Sequence, residues 1–138
     1  MNPRIRLITL AALAAAAALP AMAQDKWPSK PIEIIYPYPP GNDMDVVTRL
    51  LAEGMSKRLG VPVQVINKPG GGGVVGFAEM TRAKPDGYTL LMGTVGTHAI
   101  NASLYPKMPF DHVKDFAPIT LVAGVPNVMV MNTRRAQA

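Results

Sequence analysis

The chain has 138 residues and no cysteine. That excludes disulfides, thiolate metal ligands and a lipid-modified cysteine behind a processed N-terminus. Histidine occurs only at His98 and His112, and neither has a ligand-spaced histidine or cysteine near it, so no metal site is expected. Aromatic residues make up only 6%, and the basic residues behind the net charge of +5 are scattered rather than striped. That pattern gives no case for nucleic acid. Catalytic signatures are missing as well. No G-x-S-x-G elbow exists, and Asp43, Asp45 and Asp86 read more economically as helix-start and turn residues than as acid–base groups. Past residue 23 no run is long and apolar enough to span a bilayer. Neither an enzyme nor a cofactor is expected.

What is present starts with an export pattern. Arg4 and Arg6 precede an alanine-rich apolar run from Leu7 to Leu19, and Ala21-Met22-Ala23 is a small-x-small cleavage site. Residues 1–23 therefore read as a secretory signal peptide, and the remainder as a soluble exported chain with room for one modest core.

The most informative stretch follows. Ile32 to Tyr36 reads as a strand, the proline-rich Pro37 to Gly41 as a stiff loop, and Val46 to Leu59 as an amphipathic helix. Asn42 is a candidate N-cap and Asp45, three positions on, a candidate capping-box acid. Val47, Leu50, Leu51, Met55 and Leu59 share one helical face, Arg49, Glu53, Lys57 and Arg58 the other. Gly60 reads as the helix stop. Val61 to Ile66 is a second strand, Val74 to Ala83 a second helix, and Tyr88 to Met92 a third strand. Ala99 to Tyr105 suits a short helix, and Ile119 to Met131 one or two further strands. Trp27 is expected to pack rather than bind. Strand–helix–strand repetition implies a mostly parallel α/β sheet with helices on both faces. Three loops, near 38–45, 68–73 and 93–98, then fall on one edge, where ligands of such sheets collect. The helix start presents unpaired N–H groups suited to a carboxylate.

Gly71-x-Gly73-x-x-Gly76 matches the dinucleotide fingerprint in spacing. It follows the second strand rather than the first, and the third strand ends in Gly93-Thr94 without the acid that would hold a ribose. Backbone N–H groups binding an anion are the preferred reading. The alternative is an exported α/β enzyme or nucleotide-binding domain using the Gly71–Gly76 loop. His98 reads equally as a ligand contact or as a loop histidine bonded to backbone.

Several motifs in order resemble the Bug family, the substrate-binding proteins of tripartite tricarboxylate transporters. They are Tyr36-Pro-Tyr-Pro-Pro-Gly41 with Asp45-Val-Val, Val65-Ile-Asn-Lys-Pro-Gly-Gly, Ala83-Lys-Pro-Asp-Gly-Tyr-Thr-Leu-Leu-Met-Gly-Thr94, Gly96-Thr-His-Ala-Ile-Asn101 and Lys114-Asp-Phe-Ala-Pro-Ile-Thr120. The resemblance implies a periplasmic, non-enzymatic receptor of the type II periplasmic binding protein fold. It would be a monomer that captures a small carboxylate and meets membrane transporter subunits transiently. Carried over, the ligand-binding positions are Tyr38, Pro39, Gly41, Asn42 and Asp45 in the first loop, Gly71 and Gly72 in the second, and Thr94, Gly96, Thr97 and His98 in the third. Residues 24–118 would be the first lobe, incomplete, and 119–138 the crossover and start of a second. On that basis the chain is expected to be a truncated piece that binds ligand weakly or not at all by itself. Asn42 and Asp43 stand where the family usually has a glycine and a small hydroxyl residue, which adds a carboxylate beside the anion seat.

Overall fold

The computed structural model describes residues 26–126. The signal-peptide assignment to residues 1–23 lies outside the described residues.

Three strands make one parallel sheet. They are β1 (Ile32–Tyr36), β2 (Val63–Asn67) and β3 (Thr89–Leu91), in the order β2-β1-β3. Ile32 pairs with Val63 and Tyr36 with Asn67 on one side of β1, and Glu33 with Thr89 and Ile35 with Leu91 on the other. The apolar run of β1 is thus explained by its central place. Ile32, Ile34, Ile35 and Tyr36 are all buried, as a strand covered on both faces requires.

Helix α1 (Asp43–Leu59) carries the chain from β1 to β2, and α2 (Val74–Met80) carries it from β2 across to β3. The two connections move in opposite directions along the sheet, so right-handed crossovers put their helices on opposite faces. Packing agrees. Ile34, Tyr36, Ala52 and Met92 form a core with Met44, Leu51, Met55, Val65 and Leu90 on the α1 side. Glu33 and Ile35 face Glu79, Arg82 and Ala83 across a shallow concavity of about 290 Å³ on the α2 side.

Helix α1 begins earlier than its periodicity predicts, at Asp43, because Asn42 caps it: the side-chain oxygen accepts from the Asp45 amide at 2.9 Å. It ends at Gly60, whose φ of 71° lets its amide reach back to the Ser56 carbonyl. The buried face differs from the expected one. Asp45, Thr48 and Ala52 are buried, with Met44, Leu51 and Met55 beside them, whereas Leu50 is 63% exposed. Polar residues lie inside here because their bonding is satisfied locally. The Thr48 hydroxyl donates to the Met44 carbonyl and Asp45 serves a network described below.

Helix α2 is shorter than predicted and unwinds through turns at Thr81–Ala83. Its one large buried side chain is Phe77. Phe77 sits among Phe110, Phe116 and the His98 ring at centroid distances of 5.5, 5.3 and 4.8 Å. After β3 come a π-helical stretch (Gly96–Ile100) and α3 (Asn101–Leu104). Trp27 packs against Tyr88, as expected, with centroids 5.9 Å apart. Lys30 adds an ion pair to Asp86 at 3.3 Å. Residues 119–126 form no strand, contrary to the expectation for that part of Ile119 to Met131, and Ile119 and Leu121 are 78% and 86% exposed; residues 127–131 lie outside the described residues.

Candidate functional site

The C-terminal ends of β1, β2 and β3 open into loops 37–42, 68–73 and 92–96. The strand order reverses between β1 and β3, and loops that part at such a point leave a crevice at the strands' carboxyl ends. Across that crevice the Tyr38 hydroxyl lies 3.2 Å from Thr94 Oγ1. Gly96 stands beside both: a Cβ there would lie 3.4 Å from the Tyr38 hydroxyl and 3.6 Å from Thr94 Oγ1. First and third loops therefore meet through hydroxyl groups.

The first loop is held from beneath. Tyr36, buried in β1, donates its hydroxyl to Asn42 Oδ1 at 2.6 Å, and Asn42 Nδ2 donates to the Pro39 carbonyl at 3.1 Å. Burial is the main reason the Tyr36 phenol is pushed above its ordinary pKa. Asp45 turns into the molecule, its side chain only 4% exposed. Its Oδ2 accepts from the Gly41 amide and Arg49 Nε, both at 3.0 Å, and its Oδ1 accepts from Arg49 Nη2 at 3.2 Å and Asn67 Nδ2 at 2.9 Å. Asn67 Nδ2 also donates to the Tyr38 carbonyl at 3.1 Å. Hydrogen bonds from Arg49, then Asn67, then Gly41 hold the Asp45 carboxyl at a pKa of about 2. The capping-box expectation thus changes in detail: Asp45 reaches one residue further back, to Gly41. Asp43 is exposed at the same helix start, where the first-turn amides lack intrahelical acceptors.

The second loop is wedged into the other two. Gly73 has φ 98°, and a Cβ there would fall 2.4 Å from Thr97 Cγ2 and 3.5 Å from Pro37 Cβ. Only glycine allows both the conformation and the approach. Gly76 lies closer still to Pro37, where a Cβ would fall 3.1 Å from Pro37 Cβ. Gly73 and Gly76 of the fingerprint spacing thus pack the loops together. Gly71 and Gly72 remain exposed, and their carbonyls accept from the Tyr105 hydroxyl at 3.4 Å and Asn101 Nδ2 at 2.9 Å.

In the third loop, Thr97 is buried and bonds within its own turn. Its hydroxyl donates to the Thr94 carbonyl at 2.9 Å and accepts from the Thr94 amide at 2.9 Å. His98 lies beneath the loop, edge-on to Phe77 and to Phe116 at 5.2 Å. Burial first, and His112 second, lower its pKa. The imidazole packs within the aromatic cluster.

The eleven positions singled out from sequence thus separate into two groups. Tyr38, Pro39, Gly41, Asn42, Gly71, Gly72, Thr94 and Gly96 are brought to the edge. Asp45, Thr97 and His98 support it from below. Arg49 and Asn67, central to the network, were not singled out. The Asp45–Arg49 spacing of four was the available signal for the first; Asn67, closing β2, offered only its position. Among the described residues no cluster of histidine and acidic side chains could hold a metal ion.

This edge belongs to a periplasmic-binding-protein-like α/β lobe. The chain belongs to the tripartite tricarboxylate transporter family of receptors, which it matches over residues 47–136. It is 39% identical over 114 residues to protein BugT of Bordetella pertussis, covering 82% of this chain and 35% of that protein. It resembles the structure of MatC from Rhodopseudomonas palustris with bound malate, with a TM-score of 0.67 and 35% identity over 70% of this chain and 33% of that one. A second R. palustris protein, solved with adipate, is similar at a TM-score of 0.60 and 30% identity, over 62% of this chain and 29% of that one. The chain spans about a third of the length of these proteins.

Proposed function

We propose that this chain supplies one wall of a periplasmic receptor that captures a small carboxylate for a tripartite tricarboxylate-type transporter. The ligand is bound and handed on, not transformed, and the receptor is a monomer that meets membrane subunits transiently. Residues 24–118 form the first lobe, and the chain from 119 leads into a second. The observation that carries the reading is the contact of loops 37–42 and 92–96 through the Tyr38 and Thr94 hydroxyls at 3.2 Å, beside the start of α1. Hydroxyls and exposed backbone amides in that setting suit a carboxylate oxygen, with Tyr38, Gly41, Asn42, Thr94 and Gly96 nearest and Pro39, Gly71 and Gly72 at the rim. Asp45, Thr97 and His98 act behind them. Family membership and the malate and adipate of the two similar structures support the ligand class.

Titration of the 138-residue chain with malate, followed by amide NMR, tests this. Weak shifts confined to Tyr38, Gly41, Thr94 and Gly96 are expected, and shifts at millimolar malate that are scattered over the surface or centred elsewhere refute the reading. Asp43→Ser removes an exposed carboxylate from the helix start. It should tighten malate binding on the order of threefold, in keeping with the size of helix-terminus charge effects. Unchanged affinity would remove Asp43 from the account of ligand choice.

A further inference from the structure

We propose that Arg49 is the positioning residue of loop 37–42, acting through Asp45 and Asn67 without touching the loop itself. The proposal rests on reading that loop as part of the carboxylate-binding edge.

The geometry is a two-armed clamp. One arm runs from Arg49 Nε and Nη2 to both oxygens of Asp45, and from Asp45 Oδ2 to the Gly41 amide, all between 3.0 and 3.2 Å. The other runs from Arg49 Nη2 to Asn67 Oδ1 at 2.8 Å and from Asn67 Nδ2 to the Tyr38 carbonyl at 3.1 Å. With its oxygen taken by Arg49, the Asn67 amide can present only its NH2 to the loop, so Arg49 sets which way that side chain points. The Tyr38 end and the Gly41 end are each one bond from a group that Arg49 holds. Between them lie Pro39 and Pro40, which offer no amide donors and stiffen the span. Fixing both ends of so short and stiff a segment fixes its path, and with it the Tyr38 ring that reaches Thr94.

A planar guanidinium is suited to this and an ammonium is not. It offers fixed donors to two oxygens of a carboxylate and to a third acceptor at once, where lysine is a point charge on a flexible stem. The charge matters too. Asp45 is a buried carboxylate next to the first turn of α1, and a lone buried charge there would repel an anionic ligand. Arg49 cancels it, leaving the amides of the helix start and the exposed Asp43 carboxylate as the local field. Arg49 itself is 48% exposed, which explains why its spacing alone reads as a solvent-face residue.

Amide hydrogen exchange on the 138-residue chain tests the clamp without any ligand. In Arg49→Gln the Gly41 amide should exchange about tenfold faster while the Ile34 and Ile35 amides inside β1 keep their protection, since loop opening is local. Arg49→Lys restores the charge but not the bridge, so it should recover most of the lost unfolding stability and little of the Gly41 protection. Gly41 exchange unchanged in Arg49→Gln overturns the proposal, as does a lysine that restores protection as fully as stability. Should Arg49→Gln unfold β1 as well, Asn67→Ala asks the same question of one arm. The Tyr38 resonances should move while Gly41 stays protected by Asp45, and unmoved Tyr38 resonances count against the clamp. Malate shifts form a separate arm: loss of Gly41 protection in a chain whose malate shifts are centred elsewhere keeps the clamp and refutes the carboxylate-binding edge.

Discussion

Loop 37–42 and loop 92–98 lie side by side on one sheet edge and are held by opposite means. The first rests on a charged, hydrogen-bonded hub: Asp45, Arg49, Asn67 and the Asn42 cap. The other has hydrogen bonds between Thr94 and Thr97 inside its own turn, but meets its surroundings chiefly by van der Waals contact: Gly73 against the Thr97 methyl, and the His98 ring among Phe77 and Phe116. A hub of directional bonds specifies where backbone atoms sit, and its strength depends on protonation. A wedge of packed rings and methyls specifies only that space is filled, and it is intolerant of volume. The contrast suggests a division of labour in which the first loop sets ligand geometry and the other carries the stability of the edge.

The sharpest way to break the comparison is at the apolar side. Phe77 is fully buried, and Phe77→Ala should cost about 4 kcal/mol of unfolding free energy through lost transfer and the remaining cavity. Urea unfolding that moves by less than a quarter of that would show the aromatic cluster to be dispensable. Next, Gly73→Ala places a methyl on Thr97 in a left-handed backbone conformation. Overpacking and backbone strain together predict on the order of 3 kcal/mol. Thermal melts of this variant compared with Gly73→Ala/Thr97→Ser, which removes the clashing methyl, should show part of the loss returned. On the polar side, the lowered Asp45 pKa stabilises the folded state above the unfolded value near 4, and this contribution of about 2 kcal/mol disappears as pH falls through about 2. Asp45→Asn should flatten that acid limb while leaving the neutral-to-alkaline profile in shape. An unchanged acid limb would assign the loss to other carboxylates. The smallest effect is expected from Asn42→Ala, which removes the α1 cap at a cost of about 1 kcal/mol. Its signature is loss of the Tyr36 hydroxyl partner, read as a shift of the Tyr36 ring resonances.

Local signals in the chain led directly to β1, α1 and β2, the Asn42 cap, the Gly60 stop and the gathering of three loops on one edge. Each of these depends on neighbours within a turn or on the period of a single element. What escaped depends on contacts across elements. Leu50 has the spacing of a core residue, but the sheet beneath α1 is narrow and its central place is taken by Ala52, Thr48 and Asp45. Arg49 and Asn67 are ordinary surface types, and only the folded chain brings them under the same loop. The His98 ring packs against Phe116, which comes later in the chain and carries no periodic signal. Residues 119–126 have the composition of a strand but pair with no strand among the described residues, a reminder that β-propensity needs a neighbour to act on.

The central place of β1 has a consequence for how the chain acquires its structure. β1 is made first, yet Ile32 waits for Val63 and Glu33 waits for Thr89 before either side of it is paired. Every ladder in the sheet closes over a long span of sequence, which slows folding relative to hairpin-built sheets. During that interval the Ile-Glu-Ile-Ile-Tyr segment is an unprotected apolar strand. A chain of this topology has the most to gain from a chaperone that masks its first strand until the third has arrived.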